Sequence, residues 1–586
     1  MSEKKEKLAL KILWVMTALV CVKSIFTDFG PDSAYQVAMS YRHLCGDAML
    51  LQMWEPHQTS IFVNDLLMGL YHLIVPSYAG VVLYLQICGT AAFGLLGWYV
   101  YRTVAGQASG KVALAGSNQA SGKVALAGSG QTSGKVALAG SNQASTGSVA
   151  GAAGLTDQFT GQALWMFLLV FRAKQTPFPE FANLEIGFSV LTFCFLLRFF
   201  RQQDKLRYLI LAGISVALQA LSYPSCVLSA VAVVILLFVY TKHRWKNCLV
   251  FLGTEAVLGL SYLGYFLIKL GFSTFTLVIR NVFLSDTHST FRFGGYWTGF
   301  AIVMGAVAGC VLVAVLIRKR VGTVSAALFL LLELVMLALQ RKTGIDWNCS
   351  IYVLPVVMIL LAALGFKKAS GGERQVWVTG MALSAASFFA TMLLTDLGMI
   401  TIVAYLVLGG MVSLIFFKHL FKDDKCVIFM VLLIILVHRG LVVWGIGNTN
   451  GRVQTIWEVQ NVIRGGPAVG VVCDHVTKQQ AIWTIEDFQK YLKPEDKIFF
   501  VGGELMDSLT YLYAGTEISN YSTIDTPQYN ACLEEYLKLN PEKEPTVVAV
   551  SSWFGASNVP EDSWIMQWVN ERYELVADGC YWRFYR

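Results

Sequence analysis

The fold class is decided by LALKILWVMTALVCVKSIF (8–26) and by DFGPDSAYQVAMSYRHLCGDAMLLQMWEPHQTS (28–60), which follows it. The first stretch is long enough to cross a hydrocarbon core of about 30 Å, and similar apolar runs recur along the chain. The 586 residues are 55% hydrophobic and only 14% charged. Lys11 and Lys23 interrupt the first run, and no small-residue cleavage site follows it, which favours a retained helix over a signal peptide. These features predict a polytopic α-helical membrane protein.

The basic residues predict the orientation of the chain. The N-terminus MSEKKEK and the turns at 198–207, 242–246 and 418–425 carry clusters of Lys and Arg, and such clusters favour the cytoplasmic side. This alternation predicts about 13 transmembrane helices, a cytoplasmic N-terminus, and an extracytoplasmic location for everything after Trp444. The net charge of +7 follows from the same bias and implies no nucleic-acid partner. The 12 cysteines show no CxxC or metal-ligand spacing.

We predict two domains, a transmembrane domain at 1–445 and a small extracytoplasmic α/β domain at 446–586. Within the first, residues 27–78 form an extracytoplasmic loop with surface helices. Residues 103–154 contain a 12-residue repeat, QASGKVALAGSN and its variants, dominated by Gly, Ala and Ser. Such a tract buries too little apolar surface to offset its ordering entropy, so we predict a disordered cytoplasmic insertion.

The last 140 residues alternate strand-like and helix-like segments, which is typical of an α/β domain. Thr484 with Asp487 is close to a capping-box spacing and predicts a helix start. Gly502-Gly503 is more typical of a tight turn than of an anion site, and Asp474-His475 has no further ligand to support a metal site. This part of the sequence indicates no defined binding site.

The segment 28–60 is either an ordinary wet loop or a reaction centre held against the bilayer. A carboxylate at the outer end of a helix can act as a general base, and Asp32 is the first candidate, with Asp28 as its rival. Cationic side chains can neutralise a phosphate that departs with negative charge. The candidates for substrate binding are Tyr35, Arg42, Asp47, Glu55 and His57, with Arg280 and His288 from the outer loop at 272–297.

The same residues carry a resemblance to a known family. An acidic residue follows the first helix, Tyr comes three places later, and Gly46-Asp47 and a basic residue next to Pro56 come after these. This pattern resembles the GT-C superfamily. The resemblance is to protein O-mannosyltransferases and lipid A aminoarabinose transferases. It implies a polytopic, GT-C-like glycosyltransferase that takes a sugar from a polyprenyl-phosphate lipid. The acceptor it implies is an extracytoplasmic glycan, lipid or protein.

The resemblance also implies site residues. Asp32 maps to the base or acceptor-orienting group, and the second acidic residue maps to Glu185 or to Glu180. Where the family has Lys-Pro-Pro, this chain has Glu55-Pro56-His57. No DxD is present in the first loop, so no cofactor is certain and a divalent metal is left open. The implied chemistry is inverting sugar transfer at the outer face of a cell membrane, with a bacterial plasma membrane favoured.

Other interpretations stay open at the level of sequence. Asp32 is also compatible with a helix cap, Glu185 with a favourable helix start, and His57 with a hydrogen-bonded loop histidine. A transporter or lipid flippase of cell-envelope glycolipids is the alternative function, with Glu255, Lys269 and Glu333 as candidate intramembrane charges. A non-catalytic scaffold is the third class. The density of polar residues in outer loops favours the enzyme.

Overall fold

The computed structural model describes residues 1–105, 156–172, 174, 176–283, 305, 309, 351, 353–394, 402–443, 454–502, 509–523, 532–553, 556–557 and 559–586. The candidate residue His288, the intramembrane Glu333 and almost all of the repeat insertion lie outside the described residues.

Up to Leu441, the regular elements that the structure describes are helices. The helices are α1 (Glu3–Thr27), α2 (Pro31–Leu44), α3 (Phe62–His72), α4 (Val81–Val104), α5 (Gln158–Val170), α6 (Phe181–Arg201), α7 (Leu206–Ser222), α8 (Leu228–Tyr240), α9 (Arg244–Phe283), α10 (Val353–Gly365), α11 (Gly371–Leu394), α12 (Val407–Ser413) and α13 (Asp424–Leu441).

Several of these helices have the length and composition of membrane spans. In the described part, α1, α4, α6 and α9 are long and apolar enough to cross a bilayer, and shorter apolar helices include α5, α7 and α8. The first helix, predicted at 8–26, is observed at Glu3–Thr27. The lipid-compatible surface of α9 includes Leu260 and Ile268, which are mostly exposed. These apolar helices indicate a mostly helical, multi-pass membrane protein. The count of about 13 spans stays a prediction.

The part from residue 442 onward is built around a sheet. The elements are β1 (Val442–Val443), β2 (Gln454–Thr455), β3 (Asn461–Val462), β4 (Val472–Cys473), α14 (His475–Tyr491), β5 (Lys497–Val501), α15 (Thr510–Ala514), β6 (Glu517–Ile518), α16 (Leu533–Leu539), β7 (Val547–Trp553), β8 (Ala556–Ser557), α17 (Trp564–Arg572), β9 (Leu575–Asp578) and β10 (Trp582–Tyr585).

The main sheet has the order β6-β5-β7-β10-β9, and β8 pairs with β7. Strand β5 runs parallel to β6 and β7, whereas β10 is antiparallel to β7 and β9. Helix α14 begins earlier than the capping-box pattern predicts, because the side chain of Asp474 accepts a hydrogen bond from the backbone N–H of Thr477. The predicted start at Thr484 is wrong, and Thr484 lies inside the helix. The division at residue 445 and the side of the membrane stay predictions.

The polar segment after α1 is docked onto this sheet-containing unit. The Asp47 carboxylate accepts from Arg42 Nε at 2.7 Å and from Lys543 Nζ at 2.5 Å. The Trp54 ring lies between Tyr521 and Tyr536, with ring centroids 6.0 and 5.6 Å away. The segment is therefore a structured bridge with its own helices, α2 and α3.

The chain between α5 and α6 packs against a glycine of α4. A Cβ atom at Gly89 would lie 1.8 Å from the carbonyl oxygen of Pro177. Only the absence of a side chain permits this approach, so Gly89 sets the position of the segment that leads into α6.

We expect Gly89→Ala to lower the thermal unfolding midpoint of the detergent-purified protein, since such overpacking costs about 1–3 kcal/mol. Gly264→Ala in α9 is the matched control, because nothing lies within 4 Å of a Cβ atom there. Equal midpoints for the two variants would contradict this account of the close contact.

Candidate functional site

Asp32 lies at the start of α2, directly after the outer end predicted for α1. Pro31 occupies the first position of the helix, where its missing N–H costs nothing and its φ angle suits the helix. The carboxylate of Asp32 accepts from Lys174 Nζ at 2.7 Å, and its side chain remains 26% exposed. Asp32 is thus a positioned carboxylate that retains access to solvent.

Glu180 is the residue that immediately precedes α6. It is 1% exposed, its side chain makes no capping hydrogen bond to the helix, and its Oε1 has no hydrogen-bond partner among the described residues. Burial raises the pKa of Glu180 well above its usual value, and the charge of Asp32 raises it further, whereas Lys174 lowers it. This environment favours a protonated carboxyl group.

Lys174 joins the two carboxyl groups. Its ammonium nitrogen binds Asp32, interacts electrostatically with Glu180, and lies 5.8 Å from the centroid of the Phe181 ring. We name Asp32, Lys174 and Glu180 the outer carboxylate cluster. Lys174 was not predicted from the sequence, in which it is only a basic residue of a predicted outer loop that also contains the two candidate glutamates.

Two of the predicted substrate-binding residues lie beside the outer carboxylate cluster. The His57 ring is stacked on Phe181 with centroids 4.0 Å apart and planes 3° from parallel. Tyr223 stacks near His57 at 5.3 Å, and Tyr35 meets it edge-on at 6.3 Å. The structure therefore brings Tyr35 and His57 to the residue that follows Glu180.

Asp28 occupies a different environment from Asp32. Its carboxylate is fully buried and binds Lys23 Nζ at 2.8 Å and Arg439 at 3.1 Å. Its backbone carbonyl also accepts from Gln86 at 2.8 Å. Asp28 therefore joins α1 to α13 and α4.

Glu185 lies one turn into α6 and is fully buried. Cys226, Gln219 and Ser387 are close enough to interact with its carboxyl group, although neither oxygen has a partner in good hydrogen-bonding geometry within the described part. Tyr405 interacts electrostatically with both Glu185 and Glu180. Glu185 thus lies behind the outer carboxylate cluster, away from solvent.

The remaining candidates face the sheet-containing unit. Arg42 and Asp47 pair with each other, and Glu55 accepts hydrogen bonds from Ser522 and the backbone of Thr523. Burial raises the pKa of Glu55, which the charge of Arg42 and these bonds partly offset. Arg280 is exposed at the end of α9 and interacts with Cys532. These interactions thus link four residues to each other or to the sheet-containing unit: Arg42, Asp47, Glu55 and Arg280.

An apolar groove of about 710 Å³ runs between α3, α4 and α6. On α4 it extends over residues 88–99, a length of about 17 Å at 1.5 Å per residue. Leu95 and Trp98 on its rim are exposed, and Pro179 and Asn183 line its other end. Pro179 directly precedes Glu180, so the groove ends next to the outer carboxylate cluster.

No group of three or more His, Cys, Asp or Glu side chains suited to a metal ion is present among the described residues. The outer carboxylate cluster holds a lysine between its two carboxyl groups, and no cofactor is established for the chain.

No family model and no curated protein matches the sequence. Among solved structures, the chain is similar to ArnT from Cupriavidus metallidurans bound to undecaprenyl phosphate, with a TM-score of 0.41, 12% identity, and coverage of 100% of this chain and 98% of that chain. It is also similar to the oligosaccharyltransferase AglB from Archaeoglobus fulgidus in complex with an inhibitory peptide and a dolichol-phosphate, with a TM-score of 0.42, 10% identity, and coverage of 94% and 70%.

ArnT is the same kind of enzyme as the one that the sequence resembles, and membership of this chain in the GT-C superfamily stays a prediction. At these TM-scores the likeness carries no argument about mechanism, which rests on the chain's own residues.

The two aspartates at the end of α1 are expected to differ in their effect on stability. Asp28→Asn leaves two buried cations without their carboxylate and is expected to cost about 3–5 kcal/mol. Asp32→Asn breaks one partly exposed ion pair and is expected to cost about 1 kcal/mol or less. Thermal unfolding of both variants in detergent measures the difference, and an equal loss of stability would contradict the separate roles.

Proposed function

We propose that this protein is a membrane glycosyltransferase that moves a sugar from a polyprenyl-phosphate donor to an extracytoplasmic acceptor with inversion. One observation carries the proposal: Asp32 is a partly exposed carboxylate that Lys174 holds beside the buried Glu180. A positioned carboxylate with solvent access suits a base that meets a hydroxyl from the aqueous side. The acceptor is a glycan, a lipid or a protein.

In the proposed reaction, Asp32 orients the acceptor hydroxyl and takes its proton. The acceptor oxygen forms a bond to the anomeric carbon as the bond from that carbon to the phosphate oxygen breaks. The lipid phosphate leaves with the electron pair, and nearby positive charge stabilises it. Lys174 is the cation in this position, and Tyr35 and His57 line the same side. A divalent metal is not needed for these steps.

The other predicted site residues receive different roles in this proposal. Asp28 positions α1 through its two buried cations, and Glu185 supports Glu180 through Tyr405. Arg42, Asp47 and Glu55 hold the sheet-containing unit against α2. Arg280, on the exposed end of α9, remains a candidate for acceptor binding.

We assign the apolar groove to the polyprenyl chain of the donor. Its walls are formed by apolar side chains of two helices with the length of membrane spans, and its exposed rim suits entry from the bilayer. It ends at Pro179, so a chain in the groove would bring its phosphate end toward Lys174. This continuity favours a lipid-linked donor over a soluble nucleotide sugar.

We place the outer carboxylate cluster on the extracytoplasmic face of a cell membrane, with the N-terminus in the cytoplasm. Glu180 precedes α6, whereas Arg198 and Arg201 lie in its last turn. Clustered Lys and Arg favour the cytoplasmic end of a span. A bacterial plasma membrane with the sheet-containing unit outside is consistent with this orientation.

The first test is transfer of labelled sugar from a panel of polyprenyl-phosphate donors by purified protein. We expect Asp32→Asn to lower transfer by about 10²-fold or more, the usual contribution of a general base, while the protein stays folded. Exposed Glu486→Gln is the control and is expected to keep full activity.

A wild-type protein that consumes no donor but moves labelled lipid across proteoliposomes would instead support the transporter or flippase alternative. Loss of donor label in the wild type together with full activity of Asp32→Asn would retain the enzyme and remove the proposed base.

A larger side chain in the groove is expected to weaken binding of the donor's lipid chain and to affect no other step. Gly187 lines the groove, and a Cβ atom at this position would lie 4.0 Å from the side chain of Leu96. Gly187→Leu should displace about two methylene groups of the donor, worth about 1.6 kcal/mol, and so raise the KM for a long-chain donor about tenfold. A short-chain analogue should show a smaller change. Equal changes in KM for both donors would argue against the groove, and Gly264→Leu on exposed α9 is the control.

A further inference from the structure

We infer that Glu180 is the general acid of the proposed transfer and protonates the departing lipid phosphate, while Asp32 receives the proton of the acceptor. This inference rests on the proposed function and assigns the second half of its proton transfer. The observation that carries it is a buried carboxyl group with an unpartnered oxygen, 1% exposed, beside an ion-paired carboxylate.

The position of Glu180 at a helix start has an ordinary explanation that the geometry does not support. A carboxylate there usually accepts hydrogen bonds from the first N–H groups of the helix. Glu180 makes no such side-chain bond to α6, and its Oε1 has no partner among the described residues. A buried carboxyl oxygen without a hydrogen-bond partner costs free energy. Helix capping therefore does not explain the position of Glu180.

The two carboxyl groups of the outer carboxylate cluster have contrasting environments. Asp32 is partly exposed and bound to Lys174. Glu180 is buried beside the negative charge of Asp32, and both factors raise its pKa. Neighbouring titratable groups with opposed environments typically divide into a base and an acid.

Among the described residues, the charged and titratable groups that interact with Glu180 come from three elements. Asp32 belongs to α2, and Lys174 to the segment before α6. Tyr405 lies in the short 3₁₀ turn Val403–Leu406 and also faces Glu185. Lys174 is the only cation in this set, and it is already bound to Asp32. Together these groups therefore favour the protonated form of Glu180.

The proton balance closes within the cluster. The acceptor hydroxyl gives its proton to Asp32, and Glu180 gives its proton to a phosphate oxygen as the bond to the sugar breaks. The products are the glycosylated acceptor and a protonated lipid phosphate. Asp32 is then protonated and Glu180 ionised, and one proton transfer between these neighbours, directly or through water, restores the starting state.

The dependence of the transfer rate on pH tests this assignment. The active form needs Asp32 ionised and Glu180 protonated, so the wild-type kcat should fall as pH rises through the pKa of Glu180. Glu180→Gln should lower kcat by about 10²-fold or more and remove this alkaline fall. A near-wild-type kcat with the alkaline fall intact would overturn the inference. Glu486→Gln is again the control, and thermal unfolding confirms that Glu180→Gln is folded.

A donor with a less basic leaving group separates the two carboxyl groups. A polyprenyl phosphorothioate-linked sugar depends less on protonation as it leaves. With this donor the defect of Glu180→Gln should shrink at least about tenfold, whereas the defect of Asp32→Asn should stay unchanged. Equal rescue of both variants, or rescue of neither, would contradict the division of roles.

Infrared difference spectroscopy tests the protonation state without any turnover. The wild type minus Glu180→Gln should contain the carbonyl band of a protonated carboxyl group at neutral pH. Its absence would overturn the inference even if transfer is observed. A wild type that has the band but transfers sugar from no donor would instead remove the proposed function and, with it, the role of Glu180 as an acid.

Discussion

The Asp47 carboxylate, held between Arg42 and Lys543, is the interaction on which the arrangement of the outer elements depends. Arg42 is near the end of α2, and Asp32 is in its first turn. Because a helix of 14 residues is stiff over its length of about 21 Å, fixing one end against the sheet-containing unit also aims the other. All three members of the pairing are more than 90% buried, so removal of one leaves an uncompensated charge.

Four acidic groups lie near the start of α2 and α6, three of them buried, and each has different neighbours. Asp28 has two cations, and Asp32 shares one with Glu180. Glu185 is surrounded by amide, hydroxyl and thiol groups instead. The cost of an ionised carboxylate in such surroundings rises as cations and water become fewer. The four groups therefore range from Asp28, which binds two cations, to Glu185, whose described neighbours are uncharged.

The sequence was sufficient for the local features. A 19-residue apolar run predicted the first helix within a few residues of Glu3–Thr27, and the polar crowding after it directed attention to Asp32. It was insufficient wherever the partner is distant in the chain. Lys174 pairs with Asp32 across 142 residues, and no spacing or periodicity encodes that contact. For the same reason the sequence does not show the ion pair of Asp47 with Lys543, which lies about 500 residues away.

The location of the outer carboxylate cluster follows from the two substrates that the proposed reaction joins. A polyprenyl chain is soluble only in the bilayer, whereas an acceptor hydroxyl arrives from water, so they can meet only at the boundary. The apolar groove is lined by Pro179, the residue before Glu180, and the partly exposed Asp32 is bound to Lys174. A base deeper in the bundle, at the depth of Glu185, would be cut off from the acceptor. A base farther out would lose the low-dielectric surroundings that strengthen its interaction with Lys174. The proposed reaction therefore requires the cluster to lie at this boundary.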